Sequence, residues 1–274
     1  MKYMKLNNDI EMPIVGLGTF RSSPEDTYKA VKTAIECGYT HIDTAAIYGN
    51  EESVGKAIKD SNTKRTDLFV TTKVWNTDQG YDSTIKAFNE SLRKLDMEYV
   101  DLYLIHWFKG YDKALATYRA LEDLYKQGKV KAIGVSNFNI HHLQYLIDNA
   151  NVKPTVNQVE THIYLQNHFL QEFCKENGIQ LEAYAPLMSS HISELLSNKI
   201  LNKIANKYNK TVAQIAIRWF VERDIVVIPK SVTPSRIKQN FDIFDFELDE
   251  LDMQEIRKLN QGRKFFPEFD NVDY

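Results

Sequence analysis

A single unit, repeated eight times, constrains the fold of this chain more than any other feature. A short and nearly continuous apolar run is followed each time by a stretch with helical periodicity. The runs lie at residues 14–20, 41–43, 68–73, 100–106, 131–135, 155–159, 179–184 and 225–228. The periodic stretches begin at Ser23-Pro24 and then cover 51–59, 81–95, 113–127, 140–148, 168–176, 200–208 with 212–221, and 234–240. Ser23 reads as a cap, Pro24 as the first helical residue, and Glu25 and Asp26 as acids facing the positive end of the dipole. Gly38 and Gly128 are placed to stop their helices. Strands apolar on both faces, alternating with amphipathic helices, make a parallel sheet covered on its outer side. Eight such units in roughly 250 residues are the pattern of a single-domain (β/α)8 barrel. A doubly wound sheet in two domains is the competing architecture, but no linker, low-complexity segment or change of composition divides residues 1–274.

Three segments are extra to the eight units. Residues 4–6 and 10–12, around Asn7-Asn8-Asp9, read as a short N-terminal hairpin. Residues 249–259 read as an additional C-terminal helix, followed by an aromatic tail with Phe265, Phe266 and Phe269. A net charge of −3 offers no footprint for nucleic acid or an anionic membrane. No apolar run reaches the ~18 residues that a membrane span needs, and residues 1–5 lack the apolar core of a signal peptide. Cys37 and Cys174 have neither disulfide nor metal spacing, so no metal is expected and a reducing, cytoplasmic setting is.

Active sites of such barrels lie where the strands end. The second run ends at Asp43, the third at Lys73 and the fourth at His106, with Tyr48 on the loop after the second. Taken singly, each has a plain structural explanation: a solvated lysine, a core histidine, a buried acid bonded to a loop tyrosine. Their coincidence on neighbouring strand ends suggests chemistry. Tyrosine, with an ordinary pKa of ~10, is a poor acid near neutrality. An ammonium group beside it stabilises phenolate and lowers that value. Lys73 is expected to act in this way, with Asp43 holding it charged and His106 orienting a substrate oxygen.

A second pattern concerns anions. Gly16-Leu17-Gly18-Thr19-Phe20-Arg21 fails the G-x-G-x-x-G fingerprint at its third glycine, which removes the signature of a Rossmann dehydrogenase. The last run instead continues Pro229-Lys230-Ser231-Val232-Thr233-Pro234-Ser235-Arg236. Thr233 and Pro234 open a helix whose first amides can receive an anion. Lys230 and Arg236 sit where the dipole disfavours cations unless an anion is bound.

Several segments together resemble the aldo-keto reductases. They are Asp43-Thr44-Ala45 with Tyr48-Gly49-Asn50-Glu51, Thr72-Lys73-Val74-Trp75, residues 101–107, Gly134-Val135-Ser136-Asn137-Phe138, Asn157-Gln158-Val159-Glu160 and Ile228-Pro229-Lys230-Ser231. The resemblance covers nearly the whole chain and is nearest to the short-tailed bacterial branch that reduces glyoxal, methylglyoxal and diketogluconates. It implies Asp43, Tyr48, Lys73 and His106 as the catalytic four and NADPH as cofactor. Lys230, Ser231, Thr233 and Arg236 would surround the 2′-phosphate, with Asn240 near the adenine. Ser136, Asn137 and Gln158 would hold the carboxamide, Tyr184 would stack on the nicotinamide, and Gly18, Thr19, Pro186 and Leu187 would line the groove. Tyr184 also reads as ordinary core packing.

Phe20, Trp75 and Trp107, with Tyr48 and His106, would line a pocket for a small carbonyl substrate; a plug of the barrel mouth is the less favoured reading of the three aromatics. The tail aromatics could wall that pocket or dock the tail. Three positions depart from the family pattern: Phe108 replaces a proline, His162-Ile163 replaces a His-Pro pair, and Gln239 replaces a glutamate. The expected function is NADPH-dependent reduction of aldehydes and reactive ketones such as methylglyoxal by a monomer, with Tyr48 as general acid. A 2,5-diketogluconate reductase and a low-turnover NADPH-binding regulatory barrel are the alternatives.

Overall fold

The structure, a computed structural model, describes residues 2–266. It opens with an antiparallel hairpin, β1 (Tyr3–Lys5) and β2 (Glu11–Pro13). Eight parallel strands follow: β3 (Leu17–Gly18), β4 (His41–Asp43), β5 (Phe69–Val74), β6 (Val100–Ile105), β7 (Val130–Ser136), β8 (Val156–Glu160), β9 (Gln180–Tyr184) and β10 (Val226–Val227). Each pairs with its sequence neighbour, in the order β3 to β10. Parallel bridges from Val15 to Val227 and from Gly18 to Lys230 bring the last strand back to the first. The sheet therefore curls onto itself as an eight-stranded barrel, as the sequence pattern leads one to expect.

The helices are α1 (Pro24–Glu36), α2 (Glu51–Lys59), α3 (Tyr81–Leu95), α4 (Tyr111–Lys126), α5 (Ile140–Asn149), α6 (His168–Glu176), α7 (Ile192–Leu196), α8 (Lys199–Tyr208), α9 (Val212–Glu222), α10 (Pro234–Phe241) and α11 (Glu250–Arg257). Their starts follow local chemistry. Ser23 Oγ accepts the Asp26 amide with Pro24 at the first helical position, and Thr211 and Gln214 form a reciprocal capping box on α9.

Two apolar layers result. The inner one, at the base of the barrel, gathers Leu6, Met12, Phe69, Leu102, Leu104, Ala132, Val156 and Val226. Leu6 and Met12 come from the hairpin segment, which explains the purpose of that extension. The larger layer lies between strands and helices; Phe88 of α3, for instance, is fully buried against Tyr103 of β6. Burying one such ring contributes about 1.5–3 kcal/mol.

Several boundaries differ from expectation. The hairpin is shifted by one residue, because Leu6 leaves the strand to close the turn by accepting the Asp9 amide and donating to Ile10. The first inner strand pairs over only Leu17–Gly18 rather than residues 14–20, since the Ile14 carbonyl and the Gly16 amide on either side of Val15 already bond to Val227. The loop after β9 holds α7, which no clear periodicity announces. The last helix ends at Arg257.

Candidate active site

Asp43 and Lys73 lie at the ends of β4 and β5, one strand apart, and their alternation turns both inward. Lys73 is fully buried and donates to Asp43 Oδ1 at 2.7 Å, to Asp43 Oδ2 at 2.8 Å and to the Thr44 carbonyl at 2.9 Å. Burial alone pulls the ammonium down, yet the charge of Asp43 and its hydrogen bonds work against that and leave Lys73 raised. Burial pushes the Asp43 carboxyl up, and Lys73 pulls it back. The proton stays on the lysine.

Tyr48 sits on the 3-10 turn after β4, with Lys73 Nζ 5.2 Å from its ring centre. Burial pushes its phenol up to about 12, while Lys73 works in the opposite direction. The expectation from residue types was a lowered phenol. The structure differs because removing the ring from water disfavours phenolate more than one ammonium favours it. A phenol raised in this way carries its proton throughout the neutral range. His106, just past β6, is buried, and burial followed by the Lys73 charge holds its imidazole well below the usual histidine range. It is therefore neutral.

The three aromatics expected at the rim are all there. Phe20 packs on Tyr48 with ring centres 5.0 Å apart, Trp75 meets His106 edge-on at 5.0 Å, and Trp107 lies parallel to His106 at 6.3 Å. Phe20 remains 41% exposed, so this side of the cluster is open.

The residues expected around the cofactor fall into two groups. In the first, Ser136 donates to the Gln158 carbonyl at 2.8 Å, and Asn137 donates to the His106 carbonyl and to Ser136 Oγ, both at 3.0 Å. Tyr184 donates its hydroxyl to Asn137 Oδ1 at 2.9 Å. Asn137 adopts a φ of 60° and Ala185 one of 50°. These left-handed turns swing the chain out of β7 and β9 at the rim, carrying buried Pro186 and half-buried Leu187 over it. In the second group, Lys230, Thr233 and Arg236 are exposed and Ser231 is half-buried around the start of α10, while Asn240 is buried in its last turn. Thr233 caps that helix without a side-chain hydrogen bond, so the first-turn amides are left for another acceptor. Gly18 lies between the groups; a Cβ there would stand 3.0 Å from the Ile228 carbonyl. Thr19 donates from both its amide and hydroxyl to the Asp43 carbonyl.

Four buried polar side chains that organise the rim receive no role from the sequence. Glu182 of β9 is wholly buried and accepts Gln158 Nε2 at 2.8 Å; the same Nε2 donates to Asp43 Oδ2 at 2.8 Å. His41 lies below Asp43, its Nε2 3.3 Å from Thr71 Oγ1 and 3.7 Å from Glu182 Oε1. Asn50 ties two loops together, accepting from Thr44 and donating to the Thr19 carbonyl. Glu160 accepts the amides of Phe265 at 2.7 Å and Phe266 at 3.2 Å. It thereby docks the tail, with the Phe265 ring stacked on His162 and His191 and the Phe266 ring edge-on to Tyr184. Phe269 lies outside the described residues. Two-residue periodicity from Tyr184 back to Glu182 was the one available signal for the latter.

The departures from the family pattern are accommodated by packing. Phe108 stacks on His142 with ring centres 3.6 Å apart and meets Phe138 edge-on, so an aromatic cluster fixes that loop. Ile163 is fully buried within a turn closed by His162 and Leu165. Gln239 is exposed on α10.

Comparison with known proteins gives the family. The profile of the Aldo/keto reductase family matches residues 14–261. "Glyoxal reductase" of Bacillus subtilis is 52% identical over 98% of this chain and 96% of its own. "Methylglyoxal reductase DkgA" of Escherichia coli is 44% identical over 97% of this chain and 96% of its own. Among solved structures, MGS-M4, an aldo-keto reductase enzyme from a Medee basin deep-sea metagenome library, superposes with a TM-score of 0.98 at 69% identity. That match covers 99% of this chain and 100% of the other. A Bombyx mori aldo-keto reductase in complex with NADP gives a TM-score of 0.89 at 34% identity, covering 96% and 94% of the two chains. On a family profile spanning most of its length, and on relatives that share about half of its residues, the chain belongs to the aldo/keto reductase family.

Proposed function

We propose that this barrel reduces aldehydes and reactive ketones such as methylglyoxal with NADPH, with Tyr48 as the general acid. The observation that carries the reading is the buried cluster at the strand ends. One ammonium, held by both oxygens of Asp43, lies beneath a protonated phenol and beside a neutral imidazole. Family membership makes carbonyl reduction the class of chemistry. The names of the Bacillus subtilis and Escherichia coli relatives favour small dicarbonyl compounds as substrates.

The donor set suits NADPH. Exposed Lys230 and Arg236, with Ser231, Thr233 and the uncapped first turn of α10, offer cations and amides to a 2′-phosphate. Asn240 would lie near the adenine, and Gly18, Thr19, Pro186 and Leu187 would line the groove between. Ser136, Asn137 and Gln158 would hold the carboxamide and Tyr184 the nicotinamide ring. When bound, the cofactor supplies the hydride. His106, neutral and at the rim, orients the carbonyl oxygen between itself and Tyr48. Tyr48 gives its proton to that oxygen as charge develops there, and the Lys73 ammonium stabilises the phenolate left behind. Phe20, Trp75 and Trp107 exclude water around the reacting carbon.

Tyr48→Phe tests the assignment. It keeps the ring and its contacts but has no proton to give, so turnover falls by about 10²–10⁴-fold while NADPH binding stays at the wild-type level. Unchanged turnover would remove Tyr48 from the role of acid.

A further inference from the structure

The interior of the barrel contains a charge balance that the catalytic scheme does not use. Two carboxyl groups, Asp43 and Glu182, are joined by one amide group, Gln158 Nε2, at 2.8 Å to each. One ammonium, Lys73, is present, and Asp43 takes it with both oxygens. The other ionisable groups facing this space are His41 of β4, Tyr48 on its loop and His106. Burial, with a smaller part from Lys73, holds His41 down at about 3 and keeps His106 neutral as well; Tyr48 is pushed up to about 12. With one cation for two acids in a space without solvent, only one carboxyl can ionise at small cost.

The same geometry settles which one. Asp43 is paired, so the proton belongs to Glu182. Its Oε2 accepts from Gln158, which leaves Oε1 for the hydrogen. Among the described residues Oε1 has no hydrogen-bond partner, and His41 Nε2 stands 3.7 Å from it. Gly16 makes room for that ring: a Cβ there would stand 2.5 Å from His41 Nδ1. An ionised Asp43 can only accept, so the Gln158 amino group must face the two acids. The Gln158 oxygen is then the group left for the rim.

We propose that Glu182 is a positioning residue of the reductase site: a carboxyl kept as a neutral acid, which with Asp43 fixes the orientation of the Gln158 amide and whose ionisation weakens the Lys73–Tyr48 proton donor. The inference rests on the reductase reading above for its effect on turnover, and on the geometry alone for its effect on charge. Burial and then the Asp43 charge push the Glu182 carboxyl up to about 8, against the opposing pull of the Gln158 contact and the Lys73 ammonium. Once ionised, Glu182 adds a negative charge that makes both Lys73 and Tyr48 hold their protons more tightly.

Two variants test this. Glu182→Gln keeps the shape and cannot ionise; Glu182→Leu fills the volume but offers no acceptor. Thermal unfolding without cofactor is compared first, from pH 6 to 9.5. A carboxyl raised in the folded state contributes stability that is present at low pH and lost as pH rises through its folded value. The wild type therefore loses Tm from pH 6 up to about pH 8, with no further loss from this group above it, and Glu182→Gln loses less over the same span. NADPH titration at pH 7 follows, with affinity retained in Glu182→Gln and weakened several-fold in Glu182→Leu. Third, kcat/KM for carbonyl reduction falls through about pH 8 in the wild type to a lower plateau. In Glu182→Gln that limb moves up by at least one pH unit.

Wild-type and Glu182→Gln curves that superpose in both pH series would overturn the proposal. A wild type without carbonyl reduction would instead remove the reductase reading, and the unfolding series would still decide whether Glu182 carries the proton.

Discussion

Lys73 lies wholly inside the barrel, and its three acceptors are the two Asp43 oxygens and the Thr44 carbonyl. Replacing it by methionine leaves the Asp43 carboxylate buried with no counter-ion. Breaking such a pair costs about 3–5 kcal/mol, which equilibrium denaturation will read. Asp43→Leu combined with Lys73→Met removes both charges and should cost less than the single change. His106 gives a second prediction. Burial and Lys73 hold it neutral, so kcat/KM should stay flat between pH 5.5 and 7, where an ordinary histidine would titrate. A pronounced step in that window would show that the imidazole is charged in the working enzyme. Asp43, Lys73 and His106 were legible in the sequence because each interrupts an apolar run at its end. Glu182 was not, since an acid inside a strand does not disclose a partner on a distant strand. The net direction of the Tyr48 shift was also hidden, because it depends on how much of the ring leaves water.

Among the elements, α2 lies tight against the end of α3 at Gly55, where a Cβ would stand 2.1 Å from the Leu95 carbonyl. Gly55→Ala must push the two helices apart, and overpacking of this kind costs about 1–3 kcal/mol. A lowered Tm with unchanged kcat is the expected result; an unchanged Tm would mean that the helices slide freely. The tail is held differently, by two backbone amides on the Glu160 carboxylate and by Phe265 between two imidazoles. Glu160→Ala should release it, so that the amides of Phe265 and Phe266 exchange with solvent at least tenfold faster. Unchanged exchange would mean that ring stacking alone holds the segment. Most elements were readable because their caps and periodicities are local. The hairpin register and the short pairing of β3 were not, since Leu6 and the residues flanking Val15 take their places from bonds to the turn and to Val227.

For the molecule as a whole, eight parallel strands closed by Val15–Val227 and Gly18–Lys230 bring side chains from β4, β5, β8 and β9, with His106 just past β6, to one site. The repeat made this architecture legible, whereas the contents of the barrel interior depend on contacts that close only when the sheet curls. No helix among the described residues is long and apolar enough to cross a membrane. Ligand that binds only the folded barrel stabilises it: at one hundred times its Kd by about 2.7 kcal/mol, which raises Tm by roughly 5–10 °C in a chain of this size. Arg236→Ala should reduce that rise for NADPH and leave the smaller NADH effect unchanged; equal losses for both would separate Arg236 from the 2′-phosphate.

The most direct measurement is the loss of NADPH absorbance in the presence of methylglyoxal, with NADH in a parallel run. The predicted result is steady oxidation of NADPH by the wild type and far slower oxidation of NADH. Tight NADPH binding with no oxidation, by methylglyoxal or by any aldehyde in a panel, would contradict the account and make the barrel a cofactor binder.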